Sequence, residues 1–276
     1  MQRSHPTIRD IADALEAWAC PAWAESYDNV GLQVGDPACR VTRAVVALDC
    51  TPAVVSDAVR RGVGLVITHH PLLFHPVRSV TWDAPTSNLI LRLARAHIAL
   101  YSVHTNLDAA PGGVSVTLAE KLDLADVELL ATRDDAPQAG MGAIGRLSEP
   151  QTLKEYLQLV AARLRAPSLR YVGDLAAVVE TIAVCGGAGT FLTQRAIEAG
   201  ADAFVTSDVS YHRFFEVLRT DGSPRMALVD AGHYETEVHV EMLLVRWLSE
   251  RFPTVEWLRT TAYTSPVSTF MSAEGR

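Results

Sequence analysis

The sequence predicts a three-layer α/β/α fold built from two similar βαβ-containing repeats. Short apolar runs such as 63–67 are typical of strands buried on both faces of a sheet. Amphipathic stretches separate these runs, and strands alternating with helices favour a largely parallel sheet. The order strand, helix, glycine, strand, polar loop at 45–68 recurs at 182–206, which indicates an internal duplication. The alternative is that any two βαβ units look alike over this length.

The first half carries clear start and stop signals. Thr7 and Asp10 have the spacing of a helix-capping box, and Pro21 ends that helix. The elements predicted after it are a strand at 41–48, a helix from Pro52 that stops before Gly62, a strand at 63–67, a helix at 88–97 and a strand at 98–103.

The second half follows the same layout. Its predicted elements are a strand at 181–184, a tight turn at 186–189, a helix at 191–199, a strand at 201–205, a strand that begins at 227 and a helix with Val240, Leu243, Leu244, Trp247 and Leu248 buried. Between the halves, 131–145 is rich in Asp, Pro, Ala and Gly, and a helix is predicted at 151–164. We therefore expect a first repeat at 1–130, a linker at 131–174 and a second repeat at 175–276.

Composition excludes several classes of protein. The 276 residues include 24 Lys and Arg against 32 Asp and Glu, a net charge of −8 with no basic block, so nucleic-acid binding is not expected. No signal peptide and no run of about 18 apolar residues is present, so we expect a cytoplasmic protein without a membrane span. The four cysteines form no C-x-x-C motif and predict buried thiols rather than a zinc–thiolate site or a disulfide framework.

Nitrogen and carboxylate donors follow the predicted strands. His69 and His70 stand at the end of one strand, where adjacent side chains point apart and could serve different metal ions. As an alternative, His69 is a hydrogen-bonded histidine under the loop and His70 a solvated one. His104 and Asp108 follow the next strand and converge if their loop curls like a helical turn. Asp108 could instead cap a helix that begins near 113.

A third pair lies near the C-terminal end of the chain. His233 and Glu237 are four residues apart, so they share one helical face and can bind one cation together. An exposed first turn with acids favoured by the helix dipole is the alternative, but it leaves His233 unexplained. The three loops together supply nitrogen and oxygen donors without sulfur. Two metal ions about 3.5 to 4 Å apart use such a set.

The chain also resembles a known family, the GTP cyclohydrolase I type 2 homologues, otherwise called NGG-interacting-factor-three-like or dinuclear-metal-centre hexamer proteins. The matching motifs are SYDNVGLQVG at 26–35, THHPL at 68–72, HTNLD at 104–108, TSD at 206–208, YH at 211–212 and GHYETE at 232–237. They span nearly the whole chain in the family's order. One departure is Ser207, where many relatives have glycine, so the loop lacks that glycine's backbone freedom.

The resemblance implies a toroidal homohexamer and two divalent metal ions per subunit in a central cleft between the halves. The metal ligands that it implies are His69, His70, Asp108, His233 and Glu237, and His104 is a candidate sixth ligand. Zinc, manganese, iron and cobalt all suit these donors. Relatives often carry an inserted domain, which the short stretch at 131–174 indicates is missing here.

The ligand set suits hydrolysis, because two divalent ions make a water molecule nucleophilic and stabilise charge on the group attacked. His104, Asp208 and His212 are the candidate catalytic residues, as proton shuttles. In the family's nominal reaction, water attacks the purine ring of GTP, formate leaves and dihydroneopterin triphosphate forms. The alternative is a non-catalytic metal-binding protein or a regulatory, ring-forming scaffold, which could use the same ligands.

Two motifs have two interpretations each. Asn29 and Gln33 could line the cleft as hydrogen-bond donors, or could belong to a structural turn. The glycine-rich segment 186–189 could present backbone N–H groups to an anion at a helix start, or could be a simple tight turn.

Overall fold

The computed structural model describes residues 4–270, so residues 1–3 and 271–276 of the two predicted repeats lie outside the described residues. The helices are α1 Ile8–Trp18, α2 Pro52–Arg61, α3 Pro85–Arg95, α4 Thr105–Asp108, α5 Val114–Lys121, α6 Leu153–Leu164, α7 Thr193–Glu198, α8 His233–Glu237 and α9 Val240–Arg251. The strands are β1 Gly31–Val34, β2 Arg43–Ala47, β3 Leu65–Thr68, β4 Ala99–Ser102, β5 Ala125–Thr132, β6 Gly140–Thr152, β7 Arg170–Val172, β8 Val178–Val184, β9 Ala203–Thr206, β10 Ala227–Asp230 and β11 Glu256–Arg259. Short 3₁₀ helices lie at Pro21–Trp23, Thr190–Leu192 and Tyr211–Val217.

The chain divides into two compact units. Of the described residues, unit 1 contains 4–113 and the later segment Val238–Thr264. Unit 2 contains Val114–Glu237 and residues 265–270. The boundaries therefore differ from the predicted division at 130 and 174. Unit 2 begins earlier because α5 and β5 pack with β6, and the chain returns to unit 1 because β11 pairs with β2.

Unit 1 is built on a five-stranded sheet in the order β1-β4-β3-β2-β11. The last four strands of that order are parallel, and β1 alone runs antiparallel, against β4. Strands β2 and β3 are apolar at successive positions, and Val45, Val46, Val66 and Ile67 are all fully buried, which requires cover on both faces. Helices α2 and α3 cover one face, and α9 packs on β2 and β11.

Unit 2 is built on a six-stranded mixed sheet in the order β5-β6-β8-β9-β10-β7. Strands β8, β9 and β10 are parallel, and their alternate residues enter two separate cores. Ile182 and Val205 pack in the core with α6, whereas Ala183 and Phe204 pack in the core with α7. The three-layer α/β/α prediction is confirmed, and both units contain the predicted parallel β–α–β arrangement, in β2-α2-β3 and in β8-α7-β9.

Helix boundaries follow the local signals. Thr7 and Asp10 form the predicted capping box of α1. Thr51 Oγ accepts a hydrogen bond from Val54 N at the start of α2, and Gly62 ends that helix with φ 63°, in the left-handed region that glycine enters without steric cost.

The segment 131–174, predicted as a linker or short insert, is part of the sheet of unit 2, although its predicted helix at 151–164 is present as α6. This segment forms the end of β5, the whole of β6, α6 and β7. Glycine in it serves close strand approach, since a Cβ on Gly140 would lie 2.2 Å from the carbonyl oxygen of Ala131. A composition that is typical of linkers therefore belongs to a hairpin of the sheet.

None of the helices in the described part of the chain has both the length and the apolar character needed to cross a bilayer. The cysteines form no disulfide within residues 4–270. Cys185 is buried as predicted, but Cys39 is exposed, because it lies in the turn before β2 rather than in a strand.

Candidate metal centre

Two neighbouring parallel strands of unit 1 end in histidines. His69 follows β3 and His104 lies two residues after β4, and Thr68 pairs with Ser102 at the ends of the two strands. The sheet continues for one step beyond, with Val103 N donating to Thr68 O. Carboxyl ends of adjacent parallel strands share one sheet edge, which is where open α/β sheets place their sites.

The three histidines of this edge form a compact group. His69, His70 and His104 each offer a ligand nitrogen, and the three atoms lie within 4.8 Å of one another. His69 is fully buried, and the other two are partly exposed. The structure therefore brings His104 together with the adjacent pair, and three imidazoles so placed can hold a metal ion.

Each of these rings is oriented through its Nδ1 atom. His69 Nδ1 lies 2.8 Å from Val103 O, His70 Nδ1 lies 2.7 Å from Asp49 Oδ1, and His104 Nδ1 lies 2.8 Å from Asp28 Oδ1. Acceptors at Nδ1 select the tautomer protonated there, so Nε2 is the nitrogen that each ring would offer to a metal ion. Two of the three rings are thus held by a carboxylate and one by a backbone carbonyl, the partners that commonly orient metal-binding histidines.

Asp28 is the most strongly engaged of these acceptors. Besides His104, its carboxylate accepts hydrogen bonds from Thr105 N and Oγ1 and from Asn29 N. Burial favours the neutral acid, but the hydrogen bonds from His104, Thr105 and Asn29 outweigh it and hold the pKa of Asp28 well below its ordinary value. Asp28 is therefore ionised at neutral pH.

Asp108 completes the donor set of unit 1. The loop after β4 curls into the one-turn helix α4, as the four-residue spacing predicts, and Asp108 N donates to His104 O. Its Oδ1 lies 3.5 Å from His69 Nε2. Helix α5 begins at Val114, so the structure places Asp108 against His69 and not at the helix start.

Unit 2 supplies the remaining predicted ligands from α8. His233 Nε2 lies 2.9 Å from Glu237 Oε2, and His233 Nδ1 lies 2.7 Å from Asp208 Oδ2. Burial disfavours the charged imidazole, but the two carboxylates outweigh it and raise the pKa of His233 to about 11. Without a metal ion, His233 is therefore a cation between two anions.

The glycine-rich turn at 186–189 makes room for Glu237. A Cβ on Gly187, which has φ 63°, would lie 2.2 Å from Glu237 Oε1. Two of the turn's N–H groups bind threonine hydroxyls of the same unit, since Gly187 N donates to Thr236 Oγ1 and Gly189 N to Thr206 Oγ1. These contacts favour the tight-turn interpretation over the anion cradle.

The loop after β9 holds the other two predicted catalytic residues. Asp208 has φ 53° and contacts His233, whereas Ser207 is buried and is not among the residues with positive φ. The left-handed position therefore falls on Asp208, and serine at 207 is accommodated. His212 is exposed with its ring 5.3 Å from that of Tyr211, and it makes no hydrogen bond or ion pair with the candidate ligands in the part of the chain described.

Asn29 and Gln33 hold the loop near Phe74. Asn29 Nδ2 donates to Leu73 O, Leu73 N donates to Gln33 Oε1, and Gln33 Nε2 donates to Asn29 O. Their polar groups bind backbone, as the structural-turn interpretation expects. In the same segment, Asp28 contacts the histidine group.

Asp28 and Asp49 contact the candidate ligands, but no sequence pattern predicted a role for them. Asp49 follows β2, which lies beside β3, and its other oxygen accepts from Thr264 Oγ1 at 2.8 Å. Position after a strand is the signal that could have found Asp49. Asp28 follows no strand and reaches the histidines through tertiary contact alone.

The donor chemistry fits a divalent ion in both units. Imidazole nitrogens and carboxylate oxygens without thiolates suit zinc, manganese, iron or cobalt. In unit 1, the three rings are already oriented through Nδ1 and would bring their Nε2 atoms to an ion at little reorganisation cost.

Known proteins share this chain's sequence and fold. The Duf34/NIF3 (NGG1p interacting factor 3) family model matches residues 6–266. A "GTP cyclohydrolase 1 type 2 homolog" of Clostridium perfringens is 34% identical over 88% of this chain and 92% of its own length. One from Streptomyces coelicolor is 36% identical over 84% of this chain and 82% of its own. A crystal structure of a Staphylococcus aureus hypothetical protein matches with a TM-score of 0.89 and 27% identity, over 96% of this chain and 100% of that one.

These matches cover nearly all of both units and include every motif that carries a candidate ligand. The chain therefore belongs to the Duf34/NIF3 family.

Proposed function

We propose that this protein is a divalent-metal-dependent hydrolase that binds two metal ions per chain. The observation that carries the proposal is the common orientation of four histidines, each of which binds a carbonyl or carboxylate oxygen through Nδ1: His69, His70, His104 and His233. Histidines that ligate metals are almost always held in this way. If these histidines were structural or solvated residues that bind no metal ion, nothing would favour Nδ1 over Nε2 as the hydrogen-bonded nitrogen in all four.

The proposal divides the residues between binding and orientation. The proposed ligands are those predicted from the sequence, with His104 as a further donor: His69, His70, His104 and Asp108 in unit 1, and His233 and Glu237 in unit 2. Bound divalent ions would lower the pKa of a water molecule and stabilise charge on the group it attacks. Asp208 and the exposed His212 are the proposed proton carriers.

We propose a nucleotide as the substrate, with GTP as the first candidate. Relatives at 34% and 36% identity carry the name "GTP cyclohydrolase 1 type 2 homolog". The corresponding reaction consumes one water, opens the purine ring, releases formate and closes dihydroneopterin triphosphate. The sequence has no P-loop motif, so the triphosphate would be held by other groups.

Metal content per chain tests this proposal first. Elemental analysis is made on the purified protein, on the variants His69→Ala and His233→Ala, and on the control His97→Asn. His97 is exposed and has φ 54°, and asparagine tolerates that left-handed conformation. About two equivalents in the protein and the control, and a sharp fall in both ligand variants, is the expected result. Formate release from GTP is then followed with and without a chelator.

The outcomes separate the two functions. Stoichiometric metal with chelator-sensitive formate release supports the hydrolase. Stoichiometric metal without hydrolysis of any nucleotide leaves a metal-binding or regulatory scaffold. Absence of bound metal after reconstitution with zinc, manganese, iron and cobalt contradicts both.

We also propose that the chain assembles into a homo-oligomer, a toroidal hexamer. Exposed aromatic side chains on unit 2 support a subunit contact, since Tyr211 and Phe215 are 67% and 53% exposed with ring centroids 5.3 Å apart. Light scattering coupled to size-exclusion chromatography tests it. A mass near 180 kDa, about six times the 29.9 kDa chain, is expected, and a 30 kDa species contradicts it.

A further inference from the structure

A depression on the outer side of unit 1 has a lining unlike the rest of this acidic chain. Its volume is about 470 Å³, within the range of small-molecule sites. It is lined by Ser56, Val59, Arg60, Trp82, Arg92, Arg95 and Ala96. None of these residues belongs to the candidate metal centre.

Two helices build its walls. Helices α2 and α3 turn one face toward the sheet, where Val55 and Leu93 are fully buried, and leave the opposite face outside. They meet on that outer face through Arg92, whose Nη2 donates to Ser56 Oγ at 2.9 Å. The arginines at the ends of both helices therefore line the same depression.

Only one of the three arginines in this depression pairs with an acid among residues 4–270. Arg60 pairs with the buried Asp57, but Arg92 and Arg95 form no ion pair with any acid among residues 4–270. The helix dipole favours an arginine in the last turn of each helix separately. It does not account for the convergence of three on one depression in a chain of net charge −8. Guanidinium groups so placed are the common protein ligands of phosphate.

Trp82 adds a flat apolar wall. Trp82 is 52% exposed. The loop that carries it is nevertheless held against α3 by hydrogen bonds. Asn88 Nδ2 donates to Trp82 O at 2.9 Å, and Ser87 Oγ donates to Ser79 O at 2.8 Å. A half-exposed indole on an anchored loop offers a stacking surface for a planar ring.

We propose that this depression binds a mononucleotide, with its phosphate on Arg92, Arg95 and Arg60 and its base against Trp82. The positive charge of the arginines favours a phosphate group. The exposed indole favours a ligand that also carries a planar base over an inorganic anion. The site does not need a metal ion, so it is independent of the proposed hydrolase reaction.

Calorimetric titration with AMP, after metal has been stripped with a chelator, tests the proposal. Saturable binding is expected at one site per chain, and Arg92→Ala/Arg95→Ala should weaken it by about tenfold or more, since each guanidinium contributes a charge-assisted hydrogen bond. Trp82→Ala should weaken AMP binding and leave the weaker binding of inorganic phosphate unchanged. Adenosine should bind more weakly than AMP.

The matched control is Arg195→Ala/Arg213→Ala, which removes the same charge from two exposed arginines of unit 2. It should bind AMP as the unchanged protein does, and so should His69→Ala. Unfolding temperatures of all variants report on folding. The proposal is overturned if AMP does not bind saturably up to about 10 mM. Equal weakening by the control pair, or undiminished binding in the folded Arg92→Ala/Arg95→Ala variant, overturns it as well.

Discussion

Three aspartates form hydrogen bonds with histidines and are not themselves proposed metal ligands. Asp28, Asp49 and Asp208 each bind an Nδ1 atom, at 2.8, 2.7 and 2.7 Å. A carboxylate in this position fixes the ring and raises the basicity of Nε2. Removing one of these carboxylates should therefore lower metal affinity, whatever the substrate is.

Asp49→Ala should weaken metal binding by about 10- to 100-fold, because His70 loses the group that orients its ring. Competition with a chromogenic chelator measures the affinity. Asp134→Ala changes an exposed aspartate in the turn between β5 and β6 and serves as the control. Equal metal affinity in Asp49→Ala and the unchanged protein would contradict the orienting role.

Gly187→Ala should lower both stability and metal content, since its Cβ would meet the Glu237 carboxylate. Gly62→Ala is the matched control: it has the same φ of 63°, but a Cβ there would contact nothing within 4 Å. The control should cost only the left-handed strain, about 1 kcal/mol, and should bind metal normally. Thermal unfolding and elemental analysis distinguish the two, and identical behaviour would show that Glu237 does not need the clearance.

At the scale of elements, one buried acid connects α9 to the sheet of unit 1. Glu241 is 1% exposed, its Oε1 accepts from Leu48 N at 2.9 Å, and its Oε2 pairs with Arg259 of β11. Burial raises the pKa of Glu241 against the opposing effect of Arg259. The same side chain thus joins three segments that are distant in sequence.

Glu241→Ala should destabilise the protein by about 2–4 kcal/mol, because it leaves a buried backbone N–H and an arginine without their acceptor. Urea denaturation gives the free energy of unfolding. Glu250→Ala, at an exposed position of the same helix, should stay within about 0.5 kcal/mol of the unchanged protein. A similarly small change in Glu241→Ala would mean that α9 is held by its apolar residues alone.

For the molecule as a whole, metal binding and folding should be coupled. An ion that binds only the folded chain stabilises it by about 2.7 kcal/mol at 100 times its dissociation constant. Chelation should therefore lower the unfolding temperature, and excess zinc or manganese should restore it. The effect should be absent in a His69→Ala/His233→Ala variant, and an unchanged unfolding temperature on chelation of metal-loaded protein would contradict the coupling.

Local signals account for most of the helices and parallel strands. The capping box at Thr7 and the stop at Gly62 lie within the few residues that they control, and apolar runs report burial on both faces of a strand. The candidate ligands were predicted from equally local signals, because His69 and His104 lie within two residues of a strand end. Membership of the family followed from the motifs themselves.

Only the tertiary structure decided which segments meet. Pairing of β11 with β2, the hairpin at 131–145 and the contact of Asp28 with His104 all join residues that no periodicity relates. A glycine-rich sequence has the same composition whether the segment is a solvated linker or a strand packed closely against its neighbour. The sequence by itself determined most of the helices and parallel strands and the caps of α1 and α2, because these depend on short-range sterics and hydrogen bonding. Unit boundaries and the acids behind the histidines depend on long-range packing, which only the folded chain specifies.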